Sequence, residues 1–167
     1  MNEDQSLYYL AGIIDGEGSI SIDRKSCSYM AVNGTKRTYY YHRVDLCISN
    51  TNPKLTSWLK ENFGGTVSSI KRKSRNHSTV YCWRIYCRQA ERLLIKAAPL
   101  LLLKRQQAEL ALSLFSKRTW GTVPESVFNE RERVRYEISS LNRRFRIVSH
   151  IVLRPAVQWK NRDRLCG

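Results

Sequence analysis

Paired metal-ligand motifs are missing from this sequence. Its five cysteines include no CxxC pair, none has a histidine at the spacing of a zinc motif, and its three histidines have no paired context. The cysteines are Cys27, Cys47, Cys82, Cys87 and Cys166, and the histidines are His42, His77 and His150. These absences argue against a zinc site and against a metal bound by histidine.

Long hydrophobic runs and targeting segments are also missing. The apolar stretch at residues 7–14 is too short, and too acidic at its end, to cross a bilayer. The first residues, MNEDQ, resemble neither a signal peptide nor a transit peptide. An odd cysteine count without a secretory segment predicts free thiols. We therefore expect the chain to work where it is made, in a reducing compartment such as a bacterial or phage-host cytoplasm or the interior of an organelle.

Acidic residues are scarce. The 167 residues include 14 acidic and 29 basic side chains, for a net charge of +15 and a pI near 10.0. A field of that sign concentrates polyanions, chiefly nucleic acid. An anionic membrane surface is the competing partner, but neither end carries the amphipathic basic helix that would lie on it. The length suits one domain with its own core, and no membrane partner is expected.

The chain is organised around the segment LYYLAGIIDGEGSI at residues 7–20. Its first part is apolar on both sides at helical spacing, which predicts a helix that is buried on both sides. Gly12, in the middle of that helix, indicates the close approach of a neighbouring helix. Gly16 and Gly18 predict the end of the helix.

Two acids follow where this helix is expected to end. Asp15 and Glu17 would lie beside unpaired carbonyls at the negative pole of the helix, where acids are disfavoured unless something compensates them. Carboxylate and carbonyl oxygens together are the ligands that Mg²⁺ prefers. Two solvated acids at an ordinary helix end are the alternative.

LAGIIDGEG, at residues 10–18, resembles the LAGLIDADG motif of homing endonucleases at nine consecutive positions, with conservative changes only. The resemblance implies an α+β protein with the αββαββα order, whose curved antiparallel sheet forms a saddle on DNA. It also implies that Glu17 binds the catalytic metal at a position where aspartate is commoner, and that the motif helix forms a dimer interface. The implied interface residues are Tyr9, Leu10, Gly12, Ile13 and Gly16.

Residue patterns along the chain agree with that order. Period-two alternation and turn residues predict four strands, and helical spacing predicts a helix between the hairpins and extra helices after them. The predicted strands are residues 19–30, 37–50, 66–73 and 80–87, and the helices are residues 54–63, 89–98, 100–116 and 125–146. We expect residues 1–120 to form the core domain, and residues 121–167 to form a C-terminal helix and basic tail packed on it.

Two antiparallel strands with polar outer faces fit the width of a DNA major groove. The residues predicted to face DNA on the first two strands are Ser19, Ser21, Asp23, Lys25, Arg37, Tyr39, Tyr41, Arg43, Asp45 and Ser49. A dense basic loop adds Lys71, Arg72, Lys73 and Arg75, and Arg84 joins them if Trp83 and Ile85 pack inward. A plain hairpin with a tyrosine-rich surface is the alternative, and a register shift of one residue would turn every side chain to the other face.

The resemblance also implies a homodimer, because proteins of this family have either two motifs in one chain or one motif in each of two chains. Such a dimer would bring two Glu17 carboxylates together on near-palindromic DNA. Metal ions held by such a pair supply an activated water and charge neutralisation for phosphodiester hydrolysis. The expected metal ligands are Glu17 and the Gly16 carbonyl, and Asp15 is expected to shape the turn. By position, Asn52 and Lys104 resemble the family's remaining catalytic residues, although Asn52 is equally suited to cap a helix.

We therefore expect a site-specific homing endonuclease that makes a staggered double-strand break in a long DNA target. Mg²⁺ is the expected cofactor, Mn²⁺ is expected to substitute for it, and Ca²⁺ is expected to support binding without cleavage. The first alternative is a maturase-like protein that binds intron RNA and helps it splice. The second is a regulatory DNA binder on the same fold without the chemistry. The intact acid at Glu17 favours cleavage.

Overall fold

The computed structural model describes residues 2–71, 78–116 and 123–144. Its elements, in chain order, are α1 (Glu3–Glu17), β1 (Gly18–Met30), β2 (Lys36–Asn50), α2 (Pro53–Phe63), β3 (Thr66–Ile70), β4 (Val80–Tyr86), α3 (Cys87–Ala97), α4 (Arg105–Ser116) and α5 (Glu125–Arg144). A short 3₁₀ turn, Ala98–Leu100, follows α3. The predicted α+β class and the αββαββα order are confirmed.

The four strands form one antiparallel sheet in the order β1-β2-β4-β3. β1 and β2 make a long hairpin in which Gly18 pairs with Ile48 and Met30 pairs with Lys36. The buried residues of the sheet alternate along the strands and include Ile20, Ile22, Val44, Leu46, Ile48, Trp83 and Ile85. The predicted strand register is therefore correct. We call the opposite side of the sheet the polar face. It carries the odd-numbered residues from 19 to 29 of β1 and from 37 to 49 of β2, and the even-numbered residues 82, 84 and 86 of β4.

The described helices cover the apolar side of the sheet. α1 packs against β1, β2 and α3, and its Leu10 and Ile14 are fully buried. α5 packs against β1 and α4 and buries Ile138 in the same core. Asn142, near the end of α5, donates a 2.8 Å hydrogen bond from Nδ2 to the carbonyl of Ile20. The last described helix thus belongs to the same core as the motif helix.

The end of α1 differs from the prediction. The helix continues through Gly16 to Glu17, and Gly18 alone is the C-cap, with its N–H donating to the carbonyls of Ile13 and Ile14. A Cβ at Gly18 would lie 2.7 Å from Ile14 Cα and 2.8 Å from the Ile14 oxygen. Gly18 is therefore required because β1 begins directly against the last turn of α1.

Other predicted boundaries need smaller corrections. The predicted helix at 100–116 begins only at Arg105, since the preceding backbone is bound by Asp15, as described below. β3 ends at Ile70 rather than at residue 73. The end predicted for the last helix at residue 146, the domain boundary at residue 120 and the basic tail lie outside the described residues. Cys27, Cys47, Cys82 and Cys87 are free thiols, and no described helix is long and apolar enough to span a membrane.

Candidate metal site and nucleic-acid interface

The Glu17 carboxylate is exposed at the end of α1. Asn50, the last residue of β2, donates a 2.6 Å hydrogen bond from Nδ2 to Glu17 Oε2. The other end of the same amide, Oδ1, accepts from the backbone N–H of Asn52 at 2.7 Å. Because both ends of the Asn50 amide are bound, the direction of the Glu17 carboxylate is set by the end of β2.

Asn52 caps a helix, and the catalytic role expected for it stays a prediction. Its Oδ1 accepts from the backbone N–H of Lys54 at 3.0 Å and caps α2, which is the alternative that the Asn-Pro pattern left open. The polar residue that contacts Glu17 is Asn50, which sequence reasoning missed. The signal for it was the register: Gly18 pairs with Ile48, so the residues next to Glu17 are those just beyond Ile48.

Lys104 compensates the acidic end of α1. Its Nζ donates to the carbonyl oxygens of Ile14 at 2.7 Å and Asp15 at 2.8 Å. A cation at the C-terminal end of a helix is favoured by the helix dipole and by the carbonyls that lack partners within the helix. Lys104 is therefore bound to the end of α1 and is not an ordinary surface lysine.

Asp15 holds the segment that carries Lys104. Its Oδ2 accepts from the backbone N–H of Leu102 at 2.7 Å, and its Oδ1 accepts from that of Lys104 at 2.9 Å. This carboxylate is thus directed at the chain before α4 and away from a role as metal ligand, so it orders that segment rather than the turn after α1.

The Lys104 ammonium shares a cavity with Glu17. The cavity, of about 630 Å³, lies between the end of α1, β1 and α5, and Arg135 and Arg143 of α5 also line it. Burial lowers the pKa of Lys104, and the nearby Asp15 carboxylate partly opposes that change. The fold therefore brings together Glu17, the expected metal ligand, and Lys104, the basic residue expected to assist catalysis.

The donors at this place fit a hard divalent cation. Glu17 offers a carboxylate, and Gly16 contributes one of the last four carbonyls of α1, which have no partner within the helix. Within residues 2–71, 78–116 and 123–144, no three His, Cys, Asp or Glu side chains cluster as a complete metal site. Glu17 and the Gly16 carbonyl are therefore the oxygen donors that the described chain offers at the end of α1.

One side of α1 is uncovered in the single chain. Tyr8, Tyr9, Gly12 and Gly16 are exposed on it, and a Cβ at either glycine would meet no described atom within 4 Å. Leu10, by contrast, is 0% exposed inside the chain's own core, so its expected place in a dimer interface is wrong. The uncovered side of α1 carries Tyr8 instead of Leu10.

Most residues predicted to face DNA lie on the polar face, and contact with DNA itself stays a prediction. Arg84 was predicted to face DNA only if Trp83 and Ile85 pack inward. Both of these residues are buried, and Arg84 is exposed on the polar face. Lys71 is exposed after β3. Arg72, Lys73 and Arg75 lie outside the described residues. Asp45 is the exception on β2, because it lies on the predicted face but is only 2% exposed.

The outer half of the hairpin carries three aromatic rings on the polar face. The ring centroids of Tyr29 and Tyr39 are 6.2 Å apart, and those of Tyr39 and Tyr41 are also 6.2 Å apart. Tyr29 and Tyr39 are about half exposed. The tyrosine-rich surface, which the sequence offered as the alternative to DNA contact, is present as a row of three rings that we call the aromatic row.

His42 is paired with a carboxylate of α5. Its Nε2 lies 2.7 Å from Glu132 Oε1 on α5, and its ring packs 5.0 Å from that of Phe128. His42 lies on the apolar side of β2, so this contact attaches α5 to the hairpin and holds no place in the candidate metal site. His77 and His150 lie outside the described residues.

The model of the family described as LAGLIDADG endonuclease matches residues 10–97, more than half of the chain. The fold is similar to that of the homing endonuclease I-CvuI in complex with I-CreI target DNA, with a TM-score of 0.62 and 22% identity over 83% of each chain. It is also similar to that of the archaeal intron-encoded homing endonuclease I-Vdi141I complexed with DNA, with a TM-score of 0.60 and 19% identity over 84% of this chain and 86% of that one.

A third structure, I-SmaMI bound to uncleaved DNA target in the presence of calcium ions, matches with a TM-score of 0.53 and 20% identity. That match covers 96% of this chain but 54% of I-SmaMI. No curated protein sequence matches the chain. From the family match and the fold, the chain belongs to the LAGLIDADG endonuclease family.

Proposed function

We propose that this LAGLIDADG endonuclease acts as a homodimer and makes a staggered, metal-dependent double-strand break in a long, near-palindromic DNA target. The observation that carries the proposal is the exposed Glu17 carboxylate, which Asn50 holds in place directly beside the uncovered side of α1. A second copy packed on that side would bring two such carboxylates together.

The uncovered glycines support the homodimer. Gly12 and Gly16 are four residues apart, so they lie on the same side of α1, and a glycine within a helix costs about 0.5–1 kcal/mol relative to alanine. Their Cβ positions are open among the described residues, so packing within one chain gives no reason for that cost. Close approach of a second α1 gives one. The match to about half of I-SmaMI agrees with one fold unit per chain here.

Mg²⁺ is the proposed cofactor. A bound divalent cation would lower the pKa of a water molecule and neutralise charge on the phosphate. Glu17 and the Gly16 carbonyl would hold it, and Lys104 would place a positive charge beside the same phosphate. The I-CvuI complexes with DNA, one in 2 mM Mg and one in 2 mM Ca, support divalent-metal use in the fold. We propose that Mn²⁺ substitutes for Mg²⁺ and that Ca²⁺ supports binding alone.

The test begins with a target selected from a random DNA library by cleavage in Mg²⁺. Glu17→Gln keeps the size of the side chain and removes its charge, so cleavage should fall by about 10²-fold or more, while binding in Ca²⁺ persists. Glu61→Gln, at an exposed position of α2, is the matched control and should cut normally. Normal cutting by Glu17→Gln would remove Glu17 from the metal site.

The aromatic row favours a second candidate, the maturase-like binding of intron RNA. Tyr29, Tyr39 and Tyr41 form a surface on which unpaired bases can stack. Competition between the selected DNA and a single-stranded RNA separates the two roles. Replacing Tyr39 with leucine should weaken RNA binding more than DNA binding if the row serves RNA. If the substitution weakened RNA binding and DNA binding equally, the aromatic row would be assigned to DNA binding.

A further inference from the structure

Asp45 is an unusual residue for a surface that faces a polyanion. It lies on the polar face of β2, in register with Ser21 of β1 and Tyr86 of β4. Its side chain is nevertheless 3% exposed. A buried carboxylate is costly unless charged or hydrogen-bonding groups compensate it, and here burial raises the pKa of Asp45 while Arg84 and Arg43 oppose that change.

Two arginines cover the Asp45 carboxylate, one on each oxygen. Arg84 Nε, from β4, forms an ion pair with Asp45 Oδ1 at 3.3 Å without the alignment of a hydrogen bond, and Arg43 Nη2 donates to Asp45 Oδ2 at 3.4 Å. The two guanidinium groups differ in exposure, since the Arg84 side chain is 45% exposed and the Arg43 side chain is 20% exposed. Arg84 is thus the member of the pair that remains open to a ligand.

Arg43 is held from further sides. Its Nη2 is also 3.4 Å from Asp23 Oδ2, and its guanidinium carbon lies 4.7 Å from the centre of the Tyr86 ring. These contacts keep the Arg43 side chain against Asp45. Arg43 and Asp45 are therefore held in place next to the more exposed Arg84.

We propose that Arg84 reads a guanine in each half of the DNA target and that Asp45 is the positioning residue that directs its guanidinium group. This inference rests on the proposed function. Asp45 forms an ion pair with Nε of Arg84, and the Cys47 thiol is a further neighbour of that guanidinium group. The Arg84 side chain is still 45% exposed, so a ligand would meet the terminal nitrogens of the fork. Two parallel donors of an arginine match the O6 and N7 acceptors of guanine in the major groove.

The sheet register also predicts where that guanine lies. Cys47 of β2 pairs with Ser19 on one side and with Arg84 on the other, so Arg84 is two strands, or about 10 Å, from Ser19. Ser19 follows Glu17 by two residues. The guanine should therefore belong to the inner part of the half-site, close to the cleaved bonds, and not to the part read by the outer end of the hairpin.

The experiment measures base preference at every position of the half-site, using a DNA library with randomised positions and two readouts, binding in Ca²⁺ and cleavage in Mg²⁺. The wild-type protein should prefer guanine at one inner position by about 10- to 100-fold. Asp45→Asn and Arg84→Lys should both flatten the preference at that same position. Arg84→Lys keeps the charge, so its overall affinity for DNA should change little. Thermal unfolding of each variant shows that it is folded.

Glu61→Gln is the control, because it removes a carboxylate from an exposed position of α2, away from the polar face that carries Asp45 and Arg84; it should keep the guanine preference. If Asp45→Asn lowers binding to all sequences equally and keeps the preference, Asp45 does not position Arg84 and the inference is wrong. DNA binding without guanine preference at an inner position also overturns it. Guanine-selective binding without any cleavage would support the inference and count against the proposed nuclease activity.

Discussion

Lys104 and Asp15 contact each other through both backbone and side chain. The Lys104 backbone N–H donates to the Asp15 carboxylate at 2.9 Å, and the Lys104 ammonium donates to the Asp15 carbonyl at 2.8 Å. The first contact holds the segment before α4 against α1, and the second neutralises the end of that helix. The candidate catalytic lysine is thus also part of the structure that presents Glu17.

Lys104→Met tests this double role. The substitution leaves the last carbonyls of α1 without their cation, so the free energy of unfolding should fall by about 1–3 kcal/mol. Cleavage at a temperature where the variant is folded should fall as well. Urea unfolding and a cleavage assay measure the two effects. Lys96→Met is the control, because Lys96 forms an exposed ion pair with Glu3, and such pairs contribute little. If Lys104→Met cleaved DNA at the wild-type rate, Lys104 would stabilise the fold without taking part in cleavage.

Gly18 and Gly16 should respond differently to alanine. At Gly18 the new Cβ would lie 2.7 Å from the Ile14 backbone, so Gly18→Ala should lower the free energy of unfolding by about 1–3 kcal/mol and displace Glu17. Gly16→Ala meets no described atom within 4 Å. It should keep or slightly raise the stability of the chain but weaken the dimer.

Thermal unfolding and sedimentation measure these two effects separately. Ser57→Ala, at an exposed position of α2, is a control that should change neither stability nor assembly. A fully dimeric Gly16→Ala protein would argue against close packing of two α1 helices.

Substitutions at Asn50 and Asn52 should affect different properties, cleavage in one case and stability in the other. Asn50→Ala frees the Glu17 carboxylate and should lower cleavage by about 10-fold or more, since a misplaced catalytic group is costly. Asn52→Ala removes the cap of α2 and should cost about 0.5–2 kcal/mol of stability with little loss of cleavage. Cleavage rates and urea unfolding of both variants decide the assignment. The reverse pattern would restore Asn52 to the catalytic role expected from the sequence.

The difference between these two asparagines shows what the sequence could predict. Alternation along one strand decides which side chains are buried, so Val44, Leu46 and Ile48 were assignable from local pattern. Which asparagine meets Glu17 depends on the pairing of β1 with β2 across 33 residues of chain. Nothing local distinguishes two polar residues that are two positions apart at the end of a strand.

Leu10 and Asp45 are two further residues whose surroundings could not be predicted from the sequence alone. The motif helix is apolar on both sides, so its sequence did not specify which side faces the chain's own core, and Leu10 was placed on the wrong one. Asp45 was assigned to the correct face of β2. Its burial comes from arginines on two different strands, and that is a property of the assembled sheet.

Stability should fall as the pH drops from 7.5 to 5.0 because of His42. Burial lowers the pKa of His42, the hydrogen bond that its Nε2 donates to Glu132 opposes this, and Arg131 and Arg135 add to the lowering. His42 Nδ1 is buried without a hydrogen-bond partner among the described residues, so a second proton there would be unsatisfied. With a folded pKa below the unfolded value of 6.5, the unfolded state binds more protons below pH 6.5, and stability is lost there.

The slope due to His42 should not exceed about 1.4 kcal/mol per pH unit, the value for one proton. Glu132 does not contribute in this range: burial raises its pKa, but Arg135 and His42 outweigh burial and hold it below 4.5, so its effect comes at lower pH. Urea unfolding at several pH values measures the slope. His42→Gln removes the titrating ring and should flatten the curve between pH 6.5 and 5.0, whereas an unchanged slope in that variant would assign the acid sensitivity to other groups.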